Sequence, residues 1–311
     1  MIYNISQVLD GERLDKALAL LTNANREKII QKIFSGSIEV NEKVVLTKSY
    51  RLKTGDHVSV DLDLFVDEYK LEPDSNITFK VIYEDEFLAV IDKPTNLVVH
   101  PSSLDSKKDL ATTLVSQLLY KYPKIANVGE SFRPGIVHRL DKDTTGLMVI
   151  ALETESYNKL KSAVKSHKIS RKYLAIVVGA FKDKFGKIEA PVGRSLTNKV
   201  KMAVVENGKS AVTHFKVLET FSSSSPCSLV EVNLETGRTH QIRVHFAELG
   251  HPVLADKLYS SKVKIPEVSA LRPMLHATEL SFLHPISNKL ITASSSLPED
   301  FNMVLNQLRS V

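Results

Sequence analysis

Strand-length apolar runs constrain this chain most. Phe87–Ile91, Gly146–Leu152, Tyr173–Val178, Leu229–Leu234 and Leu275–Phe282 are short, strand-like and not separated by regular crossover helices. Helical patterns occur near Ala111–Tyr120 and Ser156–Val164. A third is opened by Pro298 and carries Phe301, Val304, Leu305 and Leu308 on one face. Parallel strands need a crossover connection, usually a helix, and helices are too few here. A mixed, largely antiparallel α+β fold is therefore expected.

The first 70 residues read differently. Leu14, Leu18 and Leu21 recur at helical spacing, and Asn25 is placed to cap a second helix. In that helix Ile29, Ile30, Ile33 and Phe34 form one face, with Lys28 and Lys32 opposite. Gly36 ends it. Short strand signals follow at Ile38–Val40, at Val44–Val45 after an Asn41–Lys43 turn, and at Val58, Val60 and Leu62. Glu72-Pro73-Asp74-Ser75-Asn76 is polar and turn-rich. Residues 1–70, a linker at 71–76 and a larger domain at 77–311 are expected, and 311 residues suit two domains.

Composition excludes several classes. With 43% apolar and 25% charged residues the chain is an ordinary globular one. A single cysteine, Cys227, excludes a disulfide framework and a Cys-rich zinc module. It lies in a Ser/Pro-rich stretch and is expected to be an inert surface or semi-buried thiol. Apolar stretches such as Leu174–Phe181 are too short to span a bilayer, and the N-terminal residues lack an export pattern. A cytoplasmic protein is expected, without membrane contact. Gly208-Lys209-Ser210 lacks the upstream glycine of a phosphate loop, since position 203 is Ala. GxGxxG and GxSxG are absent, and His240 and His245 lack further ligands at metal spacing.

The net charge of +5 is an average over unlike segments. From Lys159 to Lys201, 12 Lys and Arg face two acids, whereas residues 54–72 carry six acids against Lys70. A basic run of this length suits a phosphate backbone, although a solvated basic face is the plainer alternative.

Between two apolar strands lies a polar loop with His138, Arg139, Asp141, Asp143 and Thr144. Loops held by rigid strands commonly present reactive groups, but a charged turn with capping aspartates fits the spacing equally well.

The segment His138-Arg139-Leu140-Asp141, continued by Thr144-Thr145-Gly146-Leu147, resembles the signature of the RluA/RluD-type RNA pseudouridine synthases. So do Lys93-Pro94 with Leu97–Pro101, Arg171-Lys172-Tyr173-Leu174, Glu235–His245, Gly250-His251-Pro252 and Leu275-His276-Ala277. The N-terminal part resembles an S4 RNA-binding domain through Glu12–Lys16, the basic second helix, Gly36–Asn41 and Leu52–Asp56. Some positions depart from the pattern. Asn25-Arg26 stands where Ser-Arg is usual, Thr145 where Ser is, Asn96 and Ala255 where Gly is, and Ser260 where Gly is common.

The resemblance implies conversion of uridine to pseudouridine within RNA. This is an isomerisation that needs no redox cofactor, nucleotide energy or metal. The target base must be flipped out of its helix. By resemblance Asp141 is the essential carboxylate, either attacking the sugar or removing a sugar proton. Arg238 is the cation that holds it ionised. Tyr173 packs on the flipped base, a contact worth ~1–3 kcal/mol. Arg139 fills the vacated stack. Ile242 and Leu275 are uracil-pocket walls or plain core. His138, Arg171, Lys172, Arg26, Lys28 and Lys32 are expected to contact RNA. Large-subunit ribosomal RNA, free or in a pre-ribosomal particle, is the expected partner of a monomeric enzyme. Transfer RNA comes second. A non-catalytic RNA binder and a hydrolase pairing Asp141 with Asp143 are the competing classes.

Overall fold

The computed structural model describes residues 1–22, 26–60, 71–100, 112–198, 200–222, 224–260 and 266–310, without the side chains of Glu27 and Lys28. The expected cap Asn25, the strand residue Leu62 and the Lys28 side chain thus lie outside the described residues. The chain divides into two compact units, Met1–Lys70 and Leu71–Val311.

In the first unit, β1 (Ile2–Asn4), β2 (Ile38–Val40), β3 (Lys43–Val44) and β4 (His57–Val60) form an antiparallel sheet in the order β1-β4-β2-β3. Three-residue β1 carries too little alternation to be read from sequence. Helices Leu14–Thr22 and Arg26–Phe34 share one core with the sheet, through Leu14, Leu18, Ile29, Ile33, Ile38 and Val58. Phe34 leaves its expected face: it is the last helical residue and 59% exposed. Gly36 adopts φ +74°, letting its N–H reach Ile33 O at 3.2 Å and that of Ser37 reach Lys32 O at 3.0 Å. Asn41 and Glu42 are both left-handed, as a two-residue hairpin turn between β2 and β3 requires.

Asp15 is fully buried in this unit. Arg13 Nε donates to Oδ1 at 3.0 Å, and Arg26 donates to Oδ2 through Nε at 3.0 Å and Nη2 at 2.7 Å. Burial pushes the Asp15 carboxyl up, but these hydrogen bonds and charges outweigh it and hold it below the usual carboxylate range. Arg26, expected to contact RNA, is therefore committed to a buried carboxylate. Lys32 has no such partner among the described residues.

The second unit is built on a nine-stranded sheet. Its strands are β5 (Lys80–Glu84), β6 (Leu88–Lys93), β9 (Thr145–Ala151), β10 (Ser170–Val178), β11 (Phe185–Glu189), β14 (Val212–Phe221), β15 (Cys227–Leu234), β16 (Leu275–Leu283) and β17 (Leu290–Ser294). The order is β11-β14-β15-β10-β16-β9-β6-β5, with β17 beside β16. Short ribbons β7 (Gly129–Glu130) with β8 (Arg133–Pro134), and β12 (Val192–Arg194) with β13 (Met202–Val204), lie off it. Every described strand pair is antiparallel except β9 with β16, as the scarcity of crossover helices predicts.

That parallel contact depends on Gly146. At φ +112° its missing Cβ would stand 2.3 Å from Ala277 O, so no other residue fits. Alternation along β10 divides the core. Tyr173, Ala175 and Val177 join the larger cluster, whereas Ile176 and Val178 join a second one beneath helix Glu299–Arg309. That helix buries Phe301, Val304, Leu305 and Leu308. Cys227 corrects its expected loop placement. It opens β15, is fully buried in the second cluster, and burial pushes its thiol up to about 11. The expected linker also has a fixed place: Leu71 packs on the large core and Asp74 N–H donates to Ser116 O at 3.0 Å.

Candidate active site

Ile136 bridges Ile150 and β9 starts at Thr145, so the intervening loop is anchored at both ends. Thr144 N–H donates to Asp141 O at 3.1 Å. Fully buried Lys93 donates to Lys142 O at 2.9 Å, Pro94 O at 2.8 Å and Leu97 O at 3.0 Å. Burial pulls its pKa down to about 7, and the charges of Asp143 and Asp141 oppose this. Three carbonyl acceptors use all three N–H bonds of an ammonium. Arg272, forked on Asp300, also donates to Asp143 O at 3.3 Å.

The loop opens onto a cleft of about 910 Å³. His138, Arg139, Asp141, Arg171, Tyr173, Arg238, Ile242 and Leu275 all line it. Lys172 points to the other face of β10, where it pairs with Glu279 at 2.9 Å. Arg133, Lys161, Lys165 and Arg243 add further positive charge, and Asp141 is the only carboxylate among the lining residues. Asp143 is not among them, so the paired-carboxylate hydrolase loses its second acid. Ile242 and Leu275 belong to the large core as well as the cleft wall, at 4% and 3% exposure.

Asp141 has a different partner from the expected one. Arg243 Nη1 donates to Asp141 Oδ2 at 2.9 Å, while Arg243 Nε and Nη2 grip fully buried Asp256 at 2.6 and 2.9 Å. Arg238 instead donates from Nε to Ser210 O at 3.0 Å. The cause is where helix Gln241–Glu248 begins. His240 is left-handed at φ +57° and turns the chain into the helix. Arg238 thus stays in the preceding loop, while Arg243 is carried inward on the first turn. Burial works against the Arg243 charge, but Asp256 and Asp141 together raise its pKa above the ordinary value. The Tyr259 ring lies 5.1 Å from the Arg243 guanidinium, and the Tyr259 hydroxyl meets His240 Nδ1 at 2.9 Å. His240 Nε2 is 3.9 Å from Asp141 Oδ2.

Arg243, Asp256 and Tyr259 were not selected from sequence. This helix hides its signal, because Gln241, Arg243 and His245 are all buried polar residues. Two departures from the family pattern gain a physical meaning. Asn96 at φ +59° and Ala255 at φ +61° both keep a left-handed backbone that glycine adopts freely. Ala255 directly precedes Asp256, so this strained turn aims the carboxylate that holds Arg243.

Tyr173 is 5% exposed. Burial pushes its phenol up, Arg171 opposes this and Asp141 adds to it. Four histidines contribute to the acid response. Burial, helped by the charge of Arg171, pulls His138 down to about 3, and burial lowers His240, His245 and His276 as well. A group with a depressed histidine pKa binds its proton only on unfolding. Stability is therefore retained above pH ~6.5 and lost as pH falls toward 3. His138 alone accounts for about 2 kcal/mol between pH 7 and pH 5. Urea unfolding at the two pH values checks this, and equal stabilities would contradict it.

Comparison with known proteins decides the family. The RNA pseudouridylate synthase description matches residues 87–248, and the S4 domain matches residues 12–58. The chain belongs to the RNA pseudouridylate synthase family. Two synthases illustrate the likeness. Ribosomal large subunit pseudouridine synthase D of Zymomonas mobilis is 37% identical across 98% of this chain and 96% of its own length. The protein of the same name from Pseudomonas aeruginosa is 40% identical across 97% and 93%. Human RNA pseudouridylate synthase domain containing 1 shares the synthase fold, with a TM-score of 0.56 and 26% identity over 77% of this chain and 98% of that structure.

Proposed function

We propose that this synthase converts uridines of large-subunit ribosomal RNA to pseudouridine. The observation that carries this reading is a lone carboxylate, Asp141, fixed by Arg243 within a cationic cleft. The reaction breaks the N1–C1′ bond, turns the uracil and joins C5 to C1′; C5 then gives up its proton and N1 takes one up, so the composition of the RNA is unchanged. Asp141 acts at the sugar, with Arg243 keeping its carboxylate ionised and aimed. Tyr173 supports the extruded base, Ile242 and Leu275 wall the uracil, and Arg139 enters the stack left open. Arg139 Nη1 rests 3.2 Å from His100 Nε2, at the edge of the loop.

No described helix is long and apolar enough to cross a membrane. A monomer working in the cytoplasm on ribosomal RNA or a pre-ribosomal particle completes the reading. Pseudouridine mapping on ribosomal and transfer RNA from cells with and without the gene tests it. Loss of sites confined to large-subunit RNA is the expected result.

Binding should depend steeply on salt. Arg133 and Lys161 share the single carboxylate of Glu130, and Lys159, Lys172 and Lys187 also have carboxylate partners. With Arg139 in the stack, Lys165, Arg171 and Arg238 of the cleft remain for phosphates. Three such contacts give a slope of log K against log salt of about −2 on single-stranded RNA. A slope near zero would refute this placement.

A further inference from the structure

We propose that Arg171 is a receptor for a backbone phosphate of the target nucleotide, incomplete until RNA is bound. This deepens the reading of the cleft given above and rests on it. Arg171 is 7% exposed and its Nε is buried without a hydrogen-bond partner. Among the described residues no carboxylate pairs with it. The other buried arginines of this unit are different. Arg243 is forked on Asp256 and reaches Asp141, and Arg272 is forked on Asp300. Buried charges are normally paired, because an unpaired one loses its hydration without compensation.

The surroundings hold space for this cation. Gly237 packs so closely that a Cβ there would stand 2.5 Å from Arg171 Nη1. His138 adds a second unfilled donor. Its Nε2 accepts from Val149 N–H at 3.1 Å, so a neutral ring carries its proton on Nδ1, which is buried without a partner. Arg171 and His138 line the same cleft as Asp141. Asp141 cannot serve as the missing anion, being held by Arg243. A full unpaired charge calls for an anion, and a uracil carbonyl is neutral. Along β10, Arg171 and Tyr173 occupy alternate positions on the same face, so one extruded nucleotide can place its base on Tyr173 and its phosphate on Arg171.

The test uses the full chain and a ribosomal RNA fragment containing a mapped target uridine. Each phosphate flanking that uridine is replaced in turn by a neutral methylphosphonate. Wild type should bind one of these neutral RNAs about 10–100-fold more weakly, the range for a hydrogen bond to a charged group. Arg171→Met should lose a similar factor on normal RNA and nothing further on that neutral RNA. Removing an unpaired buried charge should also leave the melting temperature of the free protein equal or higher, by up to about 2–4 °C. Wild-type affinity in Arg171→Met, or an undiminished methylphosphonate penalty, would overturn the proposal. A lower melting temperature with unchanged RNA binding would show a structural role instead. Failure of the wild type to form pseudouridine in the unmodified fragment would count against the proposed reaction, whereas the charge dependence of binding is read separately.

Discussion

Asp141→Asn should abolish pseudouridine formation, with a loss on the order of 10⁴-fold or more, the scale seen when a central catalytic group is removed. Amide and carboxylate are nearly isosteric, and Asn Oδ1 can still accept from Arg243 Nη1, now at 2.9 Å from Asp141 Oδ2. The loop is held through Lys142 O and Asp143 O rather than through this side chain. Fold and RNA affinity should therefore persist. Turnover on an rRNA fragment, RNA affinity and thermal unfolding should be read on the same preparation. Substantial activity in the Asn protein would remove Asp141 from its role. Lost activity together with lost structure would leave the loop, rather than the carboxylate, responsible.

The second large effect separates two arginines of one motif. Arg243→Gln should destabilise the protein by about 3–5 kcal/mol, because fully buried Asp256 would lose its charge partner. Turnover should fall as well, since Asp141 would lose its donor. Arg238→Gln should change stability by less than about 1 kcal/mol, because it gives up only a bond to Ser210 O near the surface. It should weaken RNA binding and leave Asp141 oriented. Urea unfolding and separate kcat and KM values distinguish the two. If Arg238→Gln reproduced the effects of Arg243→Gln, the pairing seen around Asp141 would not be the one that matters for catalysis.

Much of this was legible in the chain. The strand runs, the scarcity of helices and the terminal helix face appear because apolar periodicity reports burial directly. The loop bearing Asp141 was readable from the apolar strand Thr145–Ala151 that follows it, whereas the expected strand before it is reduced to Arg133–Pro134 and a single bridge at Ile136. Helix Gln241–Glu248 was not readable, since polar Gln241, Arg243 and His245 are buried in alternation with Ile242, Val244 and Phe246, and the polar partners lie on β14 and in the Asp256 turn. Phe34 shows the same limit at a helix end, where periodicity continues on paper but the core does not.

By itself the sequence determined the two-part organisation and the largely antiparallel sheet, for which local spacing is enough. Asp141 was singled out by its family resemblance, since spacing alone fits a capping aspartate equally well. The tertiary structure decided which arginine holds that carboxylate and which one is left without a counter-charge. Arg238 and Arg243 are five residues apart, and Arg171 and Lys172 are neighbours. The helix start at His240 puts Arg243 rather than Arg238 on Asp141, and the alternation of β10 puts Arg171 in the cleft and Lys172 on Glu279. Charge pairing in a buried site depends on distances between segments far apart in the chain, and spacing along the chain does not encode those distances.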